Sequence, residues 1–431
     1  MSKIKFVFSI LFICCLTSCV DSGSDKIDFY EIDRVEYFNK LEGFWLGQSI
    51  ANWTGLITEM DKIGNIGEIK TGKFYTRNNW GGKDEPSIWS SETSNGQINF
   101  VLKELGEIWG SDDDTDIEYM YQELLYDSDQ IILSAKKIRD GWIKHIKYEE
   151  ENFLWVSNQK AFDLMQDGLL PPETSDPSLN EHYDMIDAQL TTEIFGLLSP
   201  VNYKSALKMS NLPIRTTARG DAASISDFYV IIHSLASTID SNKPLDEELI
   251  RISDFASSVL DKNSYSLPMY EFVKSKFNSG ITWEQTRDSI YQRYQVDQKD
   301  GYDVTSRNLY CNGCFASGIN FASSLISYFY GKGDFKETIK IATLSGWDSD
   351  NPASTWGGLL GFVHGRNNIE KIFDKSMSTK YNIHRTRQNF KNNGLDDFKN
   401  MSIKGVQIVD NVVKKTGGKI DLIDGKWYVS K

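Results

Sequence analysis

Positive charge is in short supply. The 431 residues set 47 Lys and Arg against 60 Asp and Glu, a net charge of −13. A surface this acidic repels phosphates, which excludes nucleic acid as a partner. Histidine is scarcer still: His145, His182, His233, His364 and His384 are scattered without ligand spacing, so each reads as packing or surface. Cysteine is almost missing from the body of the chain, where Cys311 and Cys314 form a lone CNGC. A zinc site would want a second ligand pair and a redox pair a strand-to-helix setting, so these two are expected to be a local disulfide or two quiet thiols. Strand-type alternation is almost absent before the C-terminus, and there is neither an internal repeat nor a linker long enough to demand two domains.

What is present begins with a leader. Lys3 and Lys5 precede an apolar run from Phe6 to Leu16, too short to span a bilayer as a stable helix, and then Leu16-Thr17-Ser18-Cys19. That order is a signal peptide, and its ending is similar to the lipobox of bacterial lipoproteins, in which Cys19 becomes the lipidated first residue. The expectation is an exported lipoprotein at the periplasmic face or cell surface, tethered to a membrane through Cys19. Losing Lys3 and Lys5 with the leader takes the charge to −15. With 40% hydrophobic and 13% aromatic residues, the remainder is globular.

The pattern predicts a mostly α-helical single domain. Leu41 to Thr58 reads as an apolar helix in which Gly43, Gly47 and Ala51 recur every four residues, a face another backbone can approach. Gly64 to Ile108, rich in Gly, Ser, Asn and Trp, reads as an irregular excursion. Helical periodicity then runs from "IEYMYQELLY" and "SAKKIRDGWIKHI" through "NEHYDMIDAQLTTEIFGLL" to "TIKIATLSG". Thr282 with Gln285 and Asp334 with Glu337 have capping-box spacing. "KIDLIDGKWYVS" offers a hairpin around Asp424-Gly425. The predicted divisions are a signal peptide (1–18), a leash and lead-in (19–40), a helical domain (41–370) and a C-terminal extension with the hairpin (371–431).

Two acidic motifs carry the chemistry. "GSDDDTDIEYMY" places Asp112, Asp113, Asp114 and Asp116 at a helix start, where carboxylates complement the positive helix end but repel one another unless a cation compensates them. "LSGWDSDNPASTWGGLLGFVHG" sets Asp348, Asp350 and Asn351 ahead of Pro352, again at a helix start, with Gly357, Gly361 and Gly365 leaving that helix one bare face. Brought together by helix packing, the clusters would form a hard-cation site of oxygen ligands. An EF-hand beginning at Asp112 fails, because Ile117 stands where its glycine is needed. The DDxxD of terpene synthases lacks its second motif here.

Together with "GFWLGQSIANWTG" near the N-terminus, these motifs resemble the three signature regions of the ADP-ribosylglycohydrolase family. The resemblance implies an all-α fold and two Mg or Mn ions held between an Asp-Asp-Thr turn and an Asp-x-Asp turn. It also implies cleavage of the bond between ribose and an ADP-ribosylated group. Asp113, Asp114 and Thr115 fall on the first motif, with Asp112 at a position usually Ser or Thr, and Asp348 and Asp350 on the second. Asn351 replaces a hydroxyl residue, and Trp347, after Gly346, replaces a glycine. Gly55 stands where the family has an N-terminal acid, with Glu59 the nearest substitute.

The expected ligands are therefore Asp112, Asp113, Asp114, Asp348, Asp350 and Asn351, with Asp113 or Glu59 as base and Trp347 and Gly346 against substrate. The expected function is a metal-dependent hydrolase of a ribosyl bond. The alternative is a non-catalytic metal- and sugar- or nucleotide-binding lipoprotein.

Overall fold

The computed structural model describes residues 29–84, 96–148 and 151–430. The leader, Cys19 and most of the leash lie outside them. The first helix, Arg34–Gly55, starts where the Asp33 carboxylate accepts the N–H groups of Val35 and Glu36, each at 2.8 Å. It begins two turns ahead of the expected Leu41. In its opening turns only Tyr37 and Leu41 are buried, which hides the apolar period in the sequence.

This entry helix packs on the helix Asp350–His364 with backbone against backbone at its glycines. A Cβ on Gly43 would stand 2.2 Å from Gly361 O, and one on Gly47 would stand 2.3 Å from Gly357 O. The four-residue spacing of small residues thus brings backbone onto backbone, as the sequence suggested for both partners. Gly365 serves differently, ending the second helix at φ 73° against Asn39.

The other elements wrap this pair. The aspartate helix, Asp113–Tyr126, buries Ile117, Met120, Tyr121, Leu124 and Leu125, the face its periodicity marked. Among the described residues, fifteen α-helices and a few short strands make the all-α architecture expected. Thr282 and Gln285 form the full capping box, and Asp334 caps its helix through Glu337 N. One expectation is corrected. The stretch from Asn180 to Leu198 holds only a 3₁₀ turn, Ile186–Ala188, and a single helical turn, Ile194–Leu197. The hydroxyls of Thr191 and Thr192 bond back to the carbonyls of Asp187 and Ala188, competing with regular helix.

The C-terminal hairpin forms from Lys419–Asp421 and Lys426–Ser430. It gains a third strand that the sequence concealed, Phe29–Asp33, which pairs antiparallel with register Phe29 to Ser430 and Asp33 to Lys426. Arg34 locks this clasp through a bidentate bond to Asp410, whose carboxylate also accepts the Trp427 indole N–H. Cys311 and Cys314 are joined as a disulfide. No helix among the described residues is long and apolar enough to cross a membrane.

Candidate metal centre

The site forms where three chain segments meet at the C-terminal end of the entry helix. Asp112 is the N-cap of the aspartate helix, its carboxylate accepting Asp114 N at 3.2 Å. Asp350 is itself the first residue of its helix, two ahead of Pro352, which the first turn tolerates. Gly55 lets the entry helix end against it: a Cβ there would stand 2.4 Å from Asp350 Cα. An acidic side chain at position 55 therefore has no room, and the acid arrives instead from the following turn. Met60 N donates to Trp347 O and Trp347 N to Lys62 O, each at 2.8 Å. This backbone clamp sets Glu59 beside Asp348. Ser349 Oγ, donating to Gly55 O at 3.0 Å, closes the same seam.

Two acid triads result, Asp112–Asp114–Asp350 and Glu59–Asp348–Asp350, each with ligand oxygens within 4.8 Å of one another. Asp350 belongs to both. Asp114, Asp348 and Asp350 are buried, while Glu59 and Asp112 are half-buried. Burial, then the charge of Asp350, pushes Asp112 up to about 8. Burial, followed by repulsion from neighbouring carboxylates, raises Glu59, Asp113, Asp114 and Asp348 well above the ordinary range. Buried Asp112 Oδ2 and Asp350 Oδ1 have no protein partner. All-oxygen donors, mutual repulsion and orphaned oxygens are what a pair of hard divalent cations would satisfy, so the residues fit such ions.

Neighbouring amides aim the cluster. Asn52 Nδ2 donates to Asp114 Oδ2 at 3.2 Å, and Asn351 Nδ2 donates to Asp114 Oδ1 at 3.3 Å. Asn351 Oδ1 accepts from Gln189 Nε2 at 3.4 Å, and Gln189 Oε1 accepts from Ser317 at 2.9 Å. Asn351, expected as a direct ligand, has its amide oxygen accepting from Gln189 and its amide nitrogen donating to Asp114, a placement that orients Asp114.

Trp347 also changes role. Its indole is fully buried, donates to Gln295 Oε1 at 3.3 Å and packs 4.8 Å from the Phe74 ring. No face remains for a ligand to stack on. Its φ of 57° explains why a glycine suits this position. Gly346, at φ 94°, has no room for a Cβ, which would meet Lys62 O at 2.4 Å. Both residues shape the seam.

Glu59, Asp113, Asp114, Asp348 and Asp350 line a small cavity together with Asp187. Through Glu59, Trp155, Val156 and Phe315 it adjoins a cleft of about 550 Å³, further lined by Met60, His182 and Tyr310. Sequence reasoning missed Asn52, Asp187, Gln189 and these cleft residues. Only Asn52 lay inside a recognised motif. The others come from separate loops with no shared spacing to mark them, and His182 was read as packing or surface.

A model of the ADP-ribosylglycohydrolase family matches residues 33–385. The chain belongs to the ADP-ribosylglycohydrolase family. That membership makes it a glycosidic hydrolase by class. Among solved structures, an "ADP-ribosylglycohydrolase-related protein complex" is similar at 15% identity and TM-score 0.48, covering 88% of this chain and 99% of that one. No curated protein matches the chain. In this ADP-ribosylglycohydrolase the aspartates of the two motifs converge, and Glu59 stands beside Asp348 and Asp350.

Proposed function

We propose that the protein hydrolyses a ribosyl glycosidic bond of the ADP-ribosyl type, using two divalent cations, Mg or Mn, and that it does so as an exported lipoprotein anchored through Cys19. The observation carrying this reading is the pair of triads that share Asp350. Asp112, Asp114 and Asp350 would hold one ion, and Glu59, Asp348 and Asp350 the other. When bound, such ions supply Lewis acidity and orient vicinal ribose hydroxyls.

The chain does the rest. Asp113 lines the cavity but belongs to neither triad, so its carboxylate is free to take a proton from the attacking water. Water adds at the anomeric carbon, the bond to the aglycone breaks, and the proton passes to the departing group. Trp155, Phe315 and Tyr310 give the cleft apolar faces on which a substrate ring can lie, and His182 places a polar edge among them. The binding-only alternative draws on Asn351 and on the missing acid at Gly55; the position of Glu59 beside Asp348 and Asp350 supports the hydrolase against the second of these.

Calorimetric titration with Mg and release of free ADP-ribose from an ADP-ribosyl substrate test the reading. Asp350→Ala is expected to abolish both metal binding and turnover, and Asp113→Asn to abolish turnover alone. Absence of any divalent binding would overturn it. Binding without turnover on any ribosyl substrate would favour the alternative. Cys19→Ala is expected to move the protein from membranes to the soluble fraction.

A further inference from the structure

The three most exposed large apolar side chains among the described residues are Ile423 at 97%, Val35 at 75% and Leu422 at 74%. All three sit at one corner of the molecule. Leu422 and Ile423 form the tip of the hairpin turn, a place where chains ordinarily put polar residues. The turn is held by its own bonds, with Asp421 Oδ1 accepting from Ile423 N and Asp424 N at 2.9 and 3.0 Å. Arg34 N, donating to Gly425 O at 2.9 Å, fixes it against the start of the entry helix. Beside Val35, an apolar groove of about 300 Å³ runs between Phe38 and the exposed face of the C-terminal helix, Phe398–Lys415, at Ile403 and Val406.

We infer that this corner seats on a lipid bilayer, with Leu422, Ile423 and Val35 entering the headgroup layer. The inference rests on the lipoprotein reading of Cys19. Phe29 is ten residues on from Cys19, a reach of at most roughly 35 Å when extended. Phe29 lies one five-residue strand from the corner, a span of about 15 Å, so a lipid at Cys19 keeps the corner within range of the surface. A projecting tip suits insertion among headgroups, whereas a second copy of the chain would need a broad face of about 800 Å². Charge agrees with a membrane: residues 398–431 carry seven lysines against three aspartates, in a chain of net charge −13. Of the acids nearby, Glu36 is paired with Lys40, Glu31 with Lys426 and Asp410 with Arg34, while Asp33 caps the entry helix and Asp421 and Asp424 flank the tip, Asp421 being held by the N–H groups of the turn itself.

The placement has a geometric result. Val35 opens the entry helix and Asn52 and Gly55 close it, 22 residues apart end to end, so the helix acts as a rod of about 33 Å. With its N-terminal end on the lipid, the acid cluster stands at the far end.

Spin labelling tests the proposal on the full lipidated protein in vesicles of phosphatidylethanolamine and phosphatidylglycerol. Cys19 is blocked by its lipid and Cys311–Cys314 is a disulfide, so Ile423→Cys supplies a single free thiol. Glu68→Cys, on the exposed turn between Asn65–Ile66 and Ile69–Lys70 in the segment that follows the entry helix, is the reference. Mass spectrometry of the N-terminal peptide first establishes the lipid, which separates failure of the anchor from failure of the seat. The expected result is a nitroxide at position 423 relaxed by oxygen and several-fold less accessible to an aqueous nickel chelate than the one at 68. Equal aqueous access at both positions would overturn the proposal. So would dipolar broadening at 423 that grows with protein density, which would make a second copy the occupant. As a second measurement, a label at Val35→Cys in the lipidated chain is expected to show the same low nickel access, and access there equal to that at 68 would count against the seat.

Discussion

Adding one carbon at Gly55 should disable the centre while leaving the fold standing. In Gly55→Ala the new Cβ would lie 2.4 Å from Asp350 Cα, and an ordinary contact begins near 3.4 Å. Both partners are backbone, so the helices must part by about 1 Å at that level. Overpacking of this size costs about 1–3 kcal/mol of stability. The effect on function is larger, because the displaced residue is the ligand common to both triads, and a misplacement of about 1 Å can cost roughly 100-fold in rate. Gly43→Ala is the matched control: its Cβ would meet Gly361 O at 2.2 Å, but about 18 Å away along the same helix. Urea denaturation, Mg calorimetry and turnover are measured on both variants. Similar stability losses are expected, with metal affinity and rate falling much further in Gly55→Ala. If the two variants lose rate and affinity equally, contact at Gly55 does not set the ligand spacing.

Three further outcomes follow from the geometry. Trp347→Gly relieves a left-handed backbone worth about 1 kcal/mol but deletes a fully buried indole worth about 3–5 kcal/mol, so a net loss near 3 kcal/mol is expected in urea, with ligand affinity of the folded protein unchanged. Arg387→Ala leaves Asp116, its buried partner at 3.0 Å, uncompensated, and should cost about 3–5 kcal/mol; a loss below about 1 kcal/mol would mean that Asp116 is carried neutral. Burial raises Glu193 from 4.5 to about 7, so its contribution is fully present below pH 4.5 and is lost as pH rises through about 7. Glu193→Gln should therefore flatten the fall in stability between those values, by about 3 kcal/mol at most, in denaturation series across pH; an unaltered slope would assign the titration elsewhere.

The parts of the site that were legible in the sequence are those encoded locally. Asp112 to Thr115 and Asp348 to Asp350 each announce themselves as acids at a helix start, and the glycines of both crossing helices announce a bare face. Thr282 with Gln285 and the Asp424-Gly425 turn were readable for the same reason, since a cap or a turn is decided within a few residues. What depends on distant contact was not readable. Whether Trp347 faces a ligand or the core is settled by Phe74 and Gln295, and nothing near Trp347 in sequence carries that information. Gln189 reaches Asn351 only through the tertiary fold. The strand Phe29–Asp33 is too short to show alternation and exists because a hairpin at the other end of the chain pairs with it.

That clasp bears on when the molecule can assemble. The entry helix buries its glycine face only against Asp350–His364, and its Arg34 finds Asp410 across 376 residues of chain. Contacts this remote demand large loop closures before they return anything, so folding is slow and its decisive step comes late. A chain still emerging from a ribosome holds the entry helix without its partner until Asp350–His364 has been made. Until then the glycine face of that helix is bare, so an early part of the fold is among the last to be locked.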